Sequence, residues 1–164
     1  MSYFYESSNI TVGWNGLNLS QGWAEDTFIS VTMNSERVTY KAGADGTYTY
    51  SKQADKGCTI TMTFTDVAPI NLEISAMMAA QDLIGAKLPV SPFLIIDRTG
   101  NSAHFLASNA VLTEVSDVEF GASSGERTWT WVCETFIASN DLSSITSNLK
   151  GYLVESDAQE SGAV

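Results

Sequence analysis

The chain has 164 residues, a formal net charge of −11 at pH 7 and an apolar content of 44%. One domain is the default at this length, with a core that buries roughly 70% of the unfolded chain's surface. Such acidity excludes tight phosphate binding, which needs Lys and Arg to release counterions; it permits a surface that nucleic acid passes without sticking, but from charge alone plain solubility is the favoured explanation. The acidity gathers late: residues 1–56 hold four Lys or Arg against six Asp or Glu. Only 16% of residues are charged, and Ser and Thr fill much of the remaining surface, which favours a β protein. No basic segment followed by an apolar run opens the chain, and no apolar stretch is long enough to span a membrane. The reading is therefore no signal peptide, no membrane span and synthesis in a cytoplasm.

In chain order, Ile10, Val12 and Trp14 alternate, Asn15-Gly16 supplies a favoured two-residue hairpin turn, and Leu17 and Leu19 alternate after it. Thr27 to Asn34 reads as a strand with Ile29, Val31 and Met33 on one face. Ser35 to Lys41 then leads, with the Gly43-Ala44-Asp45-Gly46 turn, into a long arm at about 35–48, a length typical of function or assembly. Thr47 to Ser51 is a strand with Tyr48 and Tyr50 on one face, read as the hairpin partner of Cys58 to Thr65 across the turn at residues 53–57. Cys58, Ile60, Met62 and Phe64 alternate with Thr59, Thr61, Thr63 and Thr65, as in a half-buried antiparallel strand. Pro69 and Asn71 offer helix-start chemistry, Ile70, Ile74, Met77, Met78 and Ile84 form a helical stripe, and Gly85 offers the stop; the helix is predicted at about 70–84.

Phe93 to Ile96 is a buried strand, Asp97 to Asn101 a turn, and Ser102 to Leu106 and Ala107 to Val115 return. Asp117 to Glu126 is a connection. Thr128 to Phe136 is the last clear strand, with Trp129, Trp131 and Cys133 on one face. Leu142, Ile145 and Leu149 have loose helical spacing, and 155–164 has the composition of a disordered tail. The prediction is a mainly β single domain over 1–164. It is a sandwich or partial barrel of about eight to ten antiparallel strands with one flanking helix. Residues 140–164 form an extension of open role.

No catalytic or metal constellation emerges, and no cofactor is expected. His104 is the only histidine, too few for a histidine-based metal site. A Cys–His pair would need Cys58 or Cys133, both of which read as separate buried thiols in a reducing compartment. Asp97 to Asn101 lacks the spaced ligands of a calcium loop. Glu114, Asp117, Glu119 and Glu126 form an acidic cluster, read as a solvated rim rather than as catalytic carboxylates. Trp14, Trp23, Trp129 and Trp131 read as core, with a carbohydrate platform as the alternative.

Five segments in order are similar to the tail tube proteins of contractile-tailed bacteriophages. They are Gly22-Trp23-Ala24-Glu25-Asp26-Thr27-Phe28-Ile29-Ser30-Val31, Gly43-Ala44-Asp45-Gly46 and Gly57-Cys58-Thr59-Ile60-Thr61-Met62-Thr63, then Asp117-Val118-Glu119-Phe120-Gly121 and Arg127-Thr128-Trp129-Thr130-Trp131-Val132-Cys133. The resemblance runs from about Ile10 to Glu134 and leaves the end after Asn140 unmatched. It implies a β-sandwich with one helix, hexameric rings whose inner sheets join into a barrel, and stacking of rings into a tube. Through that tube DNA leaves the capsid, inside a contractile sheath. The implied partners are further copies of the chain, the tail sheath protein, and baseplate and tail terminator proteins, with DNA passing unbound. The implied location is the virion tail, assembled in the host cytoplasm.

Three surfaces then acquire expected roles. Thr59, Thr61 and Thr63 line the lumen, Arg37, Val38, Tyr40, Lys41 and Asp45 form an inter-ring arm, and Glu114, Asp117, Glu119 and Glu126 form an acidic rim. A type VI secretion tube subunit, another tail component such as a tube terminator, and a non-viral carbohydrate-binding sandwich stay open as alternatives. An enzyme is the reading with least support.

Overall fold

The computed structural model describes residues 2, 4–83, 85, 87–100 and 102–140. The expectations for Ile84, Asn101 and the segment 141–164 lie outside the described residues. Its clearest strand is β6, Cys58–Thr65, where the four odd threonines are half-buried and the alternating Cys, Ile, Met and Phe are fully buried. This is the predicted period of two, carried by β-branched residues that suit a pleat with one face on the core.

Strands β1 (Ile10–Trp14) and β2 (Leu17–Asn18) form the predicted hairpin. Its turn residues Asn15 and Gly16 both have positive φ, 49° and 77°, as a type I′ turn requires. The remaining strands are β3 (Ile29–Met33), β4 (Val38–Ala42), β5 (Tyr48–Lys52), β7 (Ser91–Asp97), β8 (His104–Val115), β9 (Glu126–Cys133) and β10 (Thr135–Ser139). Eight strands make one antiparallel sheet in the order β2-β1-β7-β8-β9-β6-β3, with β10 also on β8; β4 and β5 form a second, two-stranded sheet. Among the described residues the sheet does not close on itself: β2 and β3 are its ends.

The long strand β8 lets this sheet fold over. Its first half pairs with β7 and β10, its second half with β9. Asn109 marks the change with φ 49°, and its amide donates to the Glu134 carboxylate at 2.8 Å. Glu134 is where the expected continuous strand 128–136 breaks into β9 and β10. The register with β8 is unchanged across this break, but the facing changes opposite Asn109: Cys133 is buried, Thr135 is exposed and Phe136 packs on the core. Folding over brings Trp14 of β1 and Phe93 of β7 edge-on to Trp131 of β9, at 5.7 and 5.3 Å between ring centroids. Each such fully buried aromatic contributes about 1.5–3 kcal/mol relative to exposure.

The helix α1 spans Ile70–Gln81, three residues short of the expected end. It begins at Pro69, and the Asp82 amide donates back to the Ala79 and Ala80 carbonyls. Ile74 is buried, and Ile70, Met77 and Met78 pack against the core. Asn71, expected as start chemistry, is instead a buried clamp between helix and sheet. Its amide donates to the Thr65 and Asp66 carbonyls at 2.8 and 3.2 Å, and its oxygen accepts from Trp129 Nε1 at 3.0 Å.

Two expectations are corrected. Thr47 to Ser51 does not pair with Cys58 to Thr65: β5 turns back onto β4, Tyr40 opposite Tyr50, and β6 pairs with β3 and β9. The Gly43–Thr47 turn explains this. The Gly43 amide donates to the Thr47 carbonyl at 2.7 Å, and Gly46 takes φ 83°. The cysteines are also not separate thiols. Cys58 and Cys133 are register partners on β6 and β9, both facing the core with Cα atoms 5.4 Å apart, and they form a disulfide.

Candidate functional site

Strand alternation puts the core residues of β6 on one side, so Thr59, Thr61 and Thr63 must share the other. Pairing extends that outward face: Ser30 and Thr32 of β3 stand opposite Thr61 and Thr59, and Thr128 and Thr130 of β9 stand opposite Thr63 and Thr61. Several hydroxyls are engaged locally. Thr59 donates to Asn34 Oδ1 at 2.7 Å, and the Thr63 and Thr128 hydroxyls lie 3.2 Å apart. Such a lattice is polar, shallow and made of short side chains.

The acidic cluster divides. Glu114 pairs in register with Thr130 and Glu126 with Thr65, so both stand on the hydroxyl face. Asp117 and Glu119 lie on the exposed connection 116–125. The structure thus joins two surfaces that were separate in the sequence. No Lys or Arg among the described residues occupies this face. Arg127 alternates to the opposite side and pairs with Asp66 at 2.9 Å, the one ion pair among the described residues.

The arm is the β4–β5 hairpin, reaching to Lys52 rather than ending at 48. Its root is tied down. The Gln53 amide donates to the Arg37 carbonyl at 3.0 Å, and Ser35 donates to Asp55 at 2.8 Å. The Arg37 guanidinium lies 4.8 Å over the Phe136 ring of the same chain, so it belongs to the root and not to the free end. Hydrogen bonds from the Thr47 hydroxyl, then its amide, hold the Asp45 carboxyl below its usual range, so Asp45 is engaged by its own turn. Val38, Tyr40 and Lys41 lie outward, and Tyr48 and Tyr50 join Val38 and Tyr40 on one exposed face. Their alternation was legible in the sequence, but their common face with Tyr40 required the corrected pairing.

Beside β6, β3 ends the sheet. Val31 and Met33 are 37% and 50% exposed, although their cross-strand partners Ile60 and Cys58 are fully buried. Among the described residues the apolar face therefore runs to the edge of the sheet, where no further strand pairs with β3.

The other candidates are built into the fold. His104 opens β8 and is 1% exposed; its Nδ1 accepts from the Asp97 amide at 3.2 Å. The Asp97 carboxylate is saturated by Ser102 and Thr99, whose hydroxyls donate first and amides next, and this holds its pKa far below the usual range. Trp14, Trp129 and Trp131 are fully buried, and Trp23 stacks on Phe28 at 4.3 Å, which removes the expected alternative of a tryptophan platform. Among the described residues, no cluster of three or more His, Cys, Asp or Glu is placed to hold a metal. Nor is any helix among them long and apolar enough to cross a membrane.

A family model described as Bacteriophage PhiTE tail tube protein matches residues 2–136. Three solved structures share the fold. A chain of the extracellular contractile injection system PVC sheath–tube complex in its extended state superposes with a TM-score of 0.59 at 14% identity, covering 84% of this chain and 92% of that one. A chain of the anti-feeding prophage cap, the AFP tube terminating cap, gives 0.57 at 12%, covering 85% and 93%. A chain of the PVC sheath/tube terminator in its extended state gives 0.57 at 13%, covering 84% and 98%. No curated protein matches the sequence.

Proposed function

Because this chain belongs to the bacteriophage PhiTE tail tube protein family and is a tail tube structural protein, we propose that its copies close into hexameric rings that stack into the conduit for DNA ejection. The observation that carries this reading is the outward face of β3, β6, β9 and the second half of β8. It presents Thr59, Thr61 and Thr63 among further hydroxyls, includes Glu114 and Glu126, and holds no base among the described residues. A duplex moving along it meets no cation to neutralise its phosphates and no long side chain to grip a groove. Asp117 and Glu119 extend the same charge as a rim.

Ring closure follows from the open margin of β3. Addition of a neighbour's strand there would satisfy its free backbone groups and cover Val31 and Met33. The β4–β5 hairpin, with Val38, Tyr40 and Lys41 outward and Arg37 and Asp45 fixing its root and tip, is the arm between rings. The sheath protein surrounds the tube, and baseplate and terminator proteins meet its ends, in the virion tail after assembly in the host cytoplasm. The solved relatives include terminators as well as a sheath–tube complex. Open-ended stacking of the purified chain separates a tube subunit from a terminator.

Thr61→Lys tests the channel. Its side chain is half-buried on the hydroxyl face, so the chain is expected to fold and assemble. Tubes of the variant retain duplex DNA at low salt and release it at high salt, whereas wild-type tubes retain none. Retention that is the same in both, or an electron-microscopy map with the hairpin inside the bore, overturns the assignment.

A further inference from the structure

Two apolar faces are left uncovered among the described residues, and they match. On the β4–β5 hairpin, Val38, Tyr40, Tyr48 and Tyr50 share one side, with Lys52 opposite Val38. The tyrosines are 56–69% exposed, and their rings neighbour one another at 6.1 and 6.3 Å. On α1, Asn71 and Ile74 define the buried side. At about 100° per residue, Leu72, Ala76, Ala79 and Ala80 fall together on the opposite side, and all four are exposed; Leu83, just past the helix end, is exposed too. Leu72 and Leu83 are 77% and 67% exposed. A helix apolar on both sides is one that assembly buries on both sides.

We propose that the tyrosine face of the hairpin docks on the outward side of α1 of a second copy. This rests on the stacking reading above and names where the arm lands. The lengths agree: Val38 to Ala42 rises about 14 Å as a strand, and Leu72 to Ala80 rises about 12 Å as a helix. The three alanines between the leucines form a trough in which flat rings can lie. The charges agree as well. Lys52 is on the tyrosine side of the hairpin, Glu73 and Asp82 flank the helical stripe, and none of the three is in an ion pair among the described residues. Two different patches meeting make a head-to-tail contact, which propagates from copy to copy and does not stop at a dimer.

The full chain carrying Ala76→p-benzoylphenylalanine is assembled from isotopically light and heavy copies and irradiated. A mixed-isotope crosslink between position 76 and the segment holding Tyr48 and Tyr50 is expected. A crosslink to another segment, or in whole particles to the sheath alone, overturns the proposal. In parallel, Lys52→Glu is expected to lower the pelleted tube fraction about tenfold through like-charge contact, and Glu73→Lys in the same chain to restore it. Both side chains are exposed, so unchanged tryptophan fluorescence confirms folding. Wild-type protein that never assembles removes the stacking reading and this one with it. Wild-type tubes with silent charge reversals remove the docking site alone.

Discussion

Replacing Asn71 by leucine is expected to destabilise the unassembled chain by about 3 kcal/mol, although leucine is the better helix former. Asn71 is 6% exposed and joins three elements: its amide holds two carbonyls at the end of β6, and its oxygen holds the indole of Trp129. Trp129 is 1% exposed, so its orphaned N–H costs about 1–3 kcal/mol. The Thr65 and Asp66 carbonyls are half-buried and can find water, so each lost bond costs about 0.5–1 kcal/mol. For a domain of this size the sum lowers Tm by about 6–12 °C. Urea denaturation followed by tryptophan fluorescence measures the difference. A double-mutant cycle with Trp129→Phe isolates the buried bond. With no indole left to orphan, the double variant costs about 1–2 kcal/mol less than the two single changes together. Strict additivity, or a loss below about 0.5 kcal/mol for Asn71→Leu, refutes the clamp.

Reduction of the Cys58–Cys133 disulfide, which spans 75 residues, is expected to lower stability by about 4 kcal/mol in the chain-entropy account. Thermal melts with and without reductant, beside a thiol titration of the denatured unreduced chain, decide it; two titratable thiols contradict the pairing. Hydroxyl and amide donors from Ser102 and Thr99 depress the folded pKa of Asp97, so its stabilisation is full above the unfolded value of about 4 and is lost as pH falls below that. Unfolding free energy measured between pH 2 and 6 is expected to fall less steeply for Asp97→Asn than for wild type, and parallel curves count against this. Gly22→Ala is expected to cost at least about 2 kcal/mol, because it combines a strained backbone with overpacking. Gly22 has φ +78°, and an added Cβ would lie 2.5 Å from the Ala68 Cβ. A wild-type melting temperature for this variant would show that the loop before β3 yields.

The two kinds of residue pairing in this chain were unequally visible. Asn15-Gly16 announced its hairpin because both turn residues sit next to each other and need positive φ. Thr47 to Ser51 announced a strand but not its partner. The turns before and after it, at residues 43–46 and 53–57, both contain glycine, and only the bonds across Gly43–Thr47 decide for the earlier one. Glu114 and Glu126 read as part of one acidic cluster with Asp117 and Glu119. Their separation onto the hydroxyl face depends on which strand β9 lies beside, a fact no local spacing carries.

Side-chain alternation is a property of neighbouring residues, so the sequence alone determined that Thr59, Thr61 and Thr63 share a face turned away from the core, and that Ile74 and Met78 share one turned toward it. It also determined the chain's acidity and the scarcity of bases, which are sums over residues and need no fold. Tertiary structure decided what meets across the sheet: Cys58 with Cys133, Asn71 with Trp129, Arg37 with Phe136, Glu126 with Thr65. Those contacts join residues far apart in the chain. Their identity is settled by strand order and register, which arise when the whole sheet buries its apolar face at once.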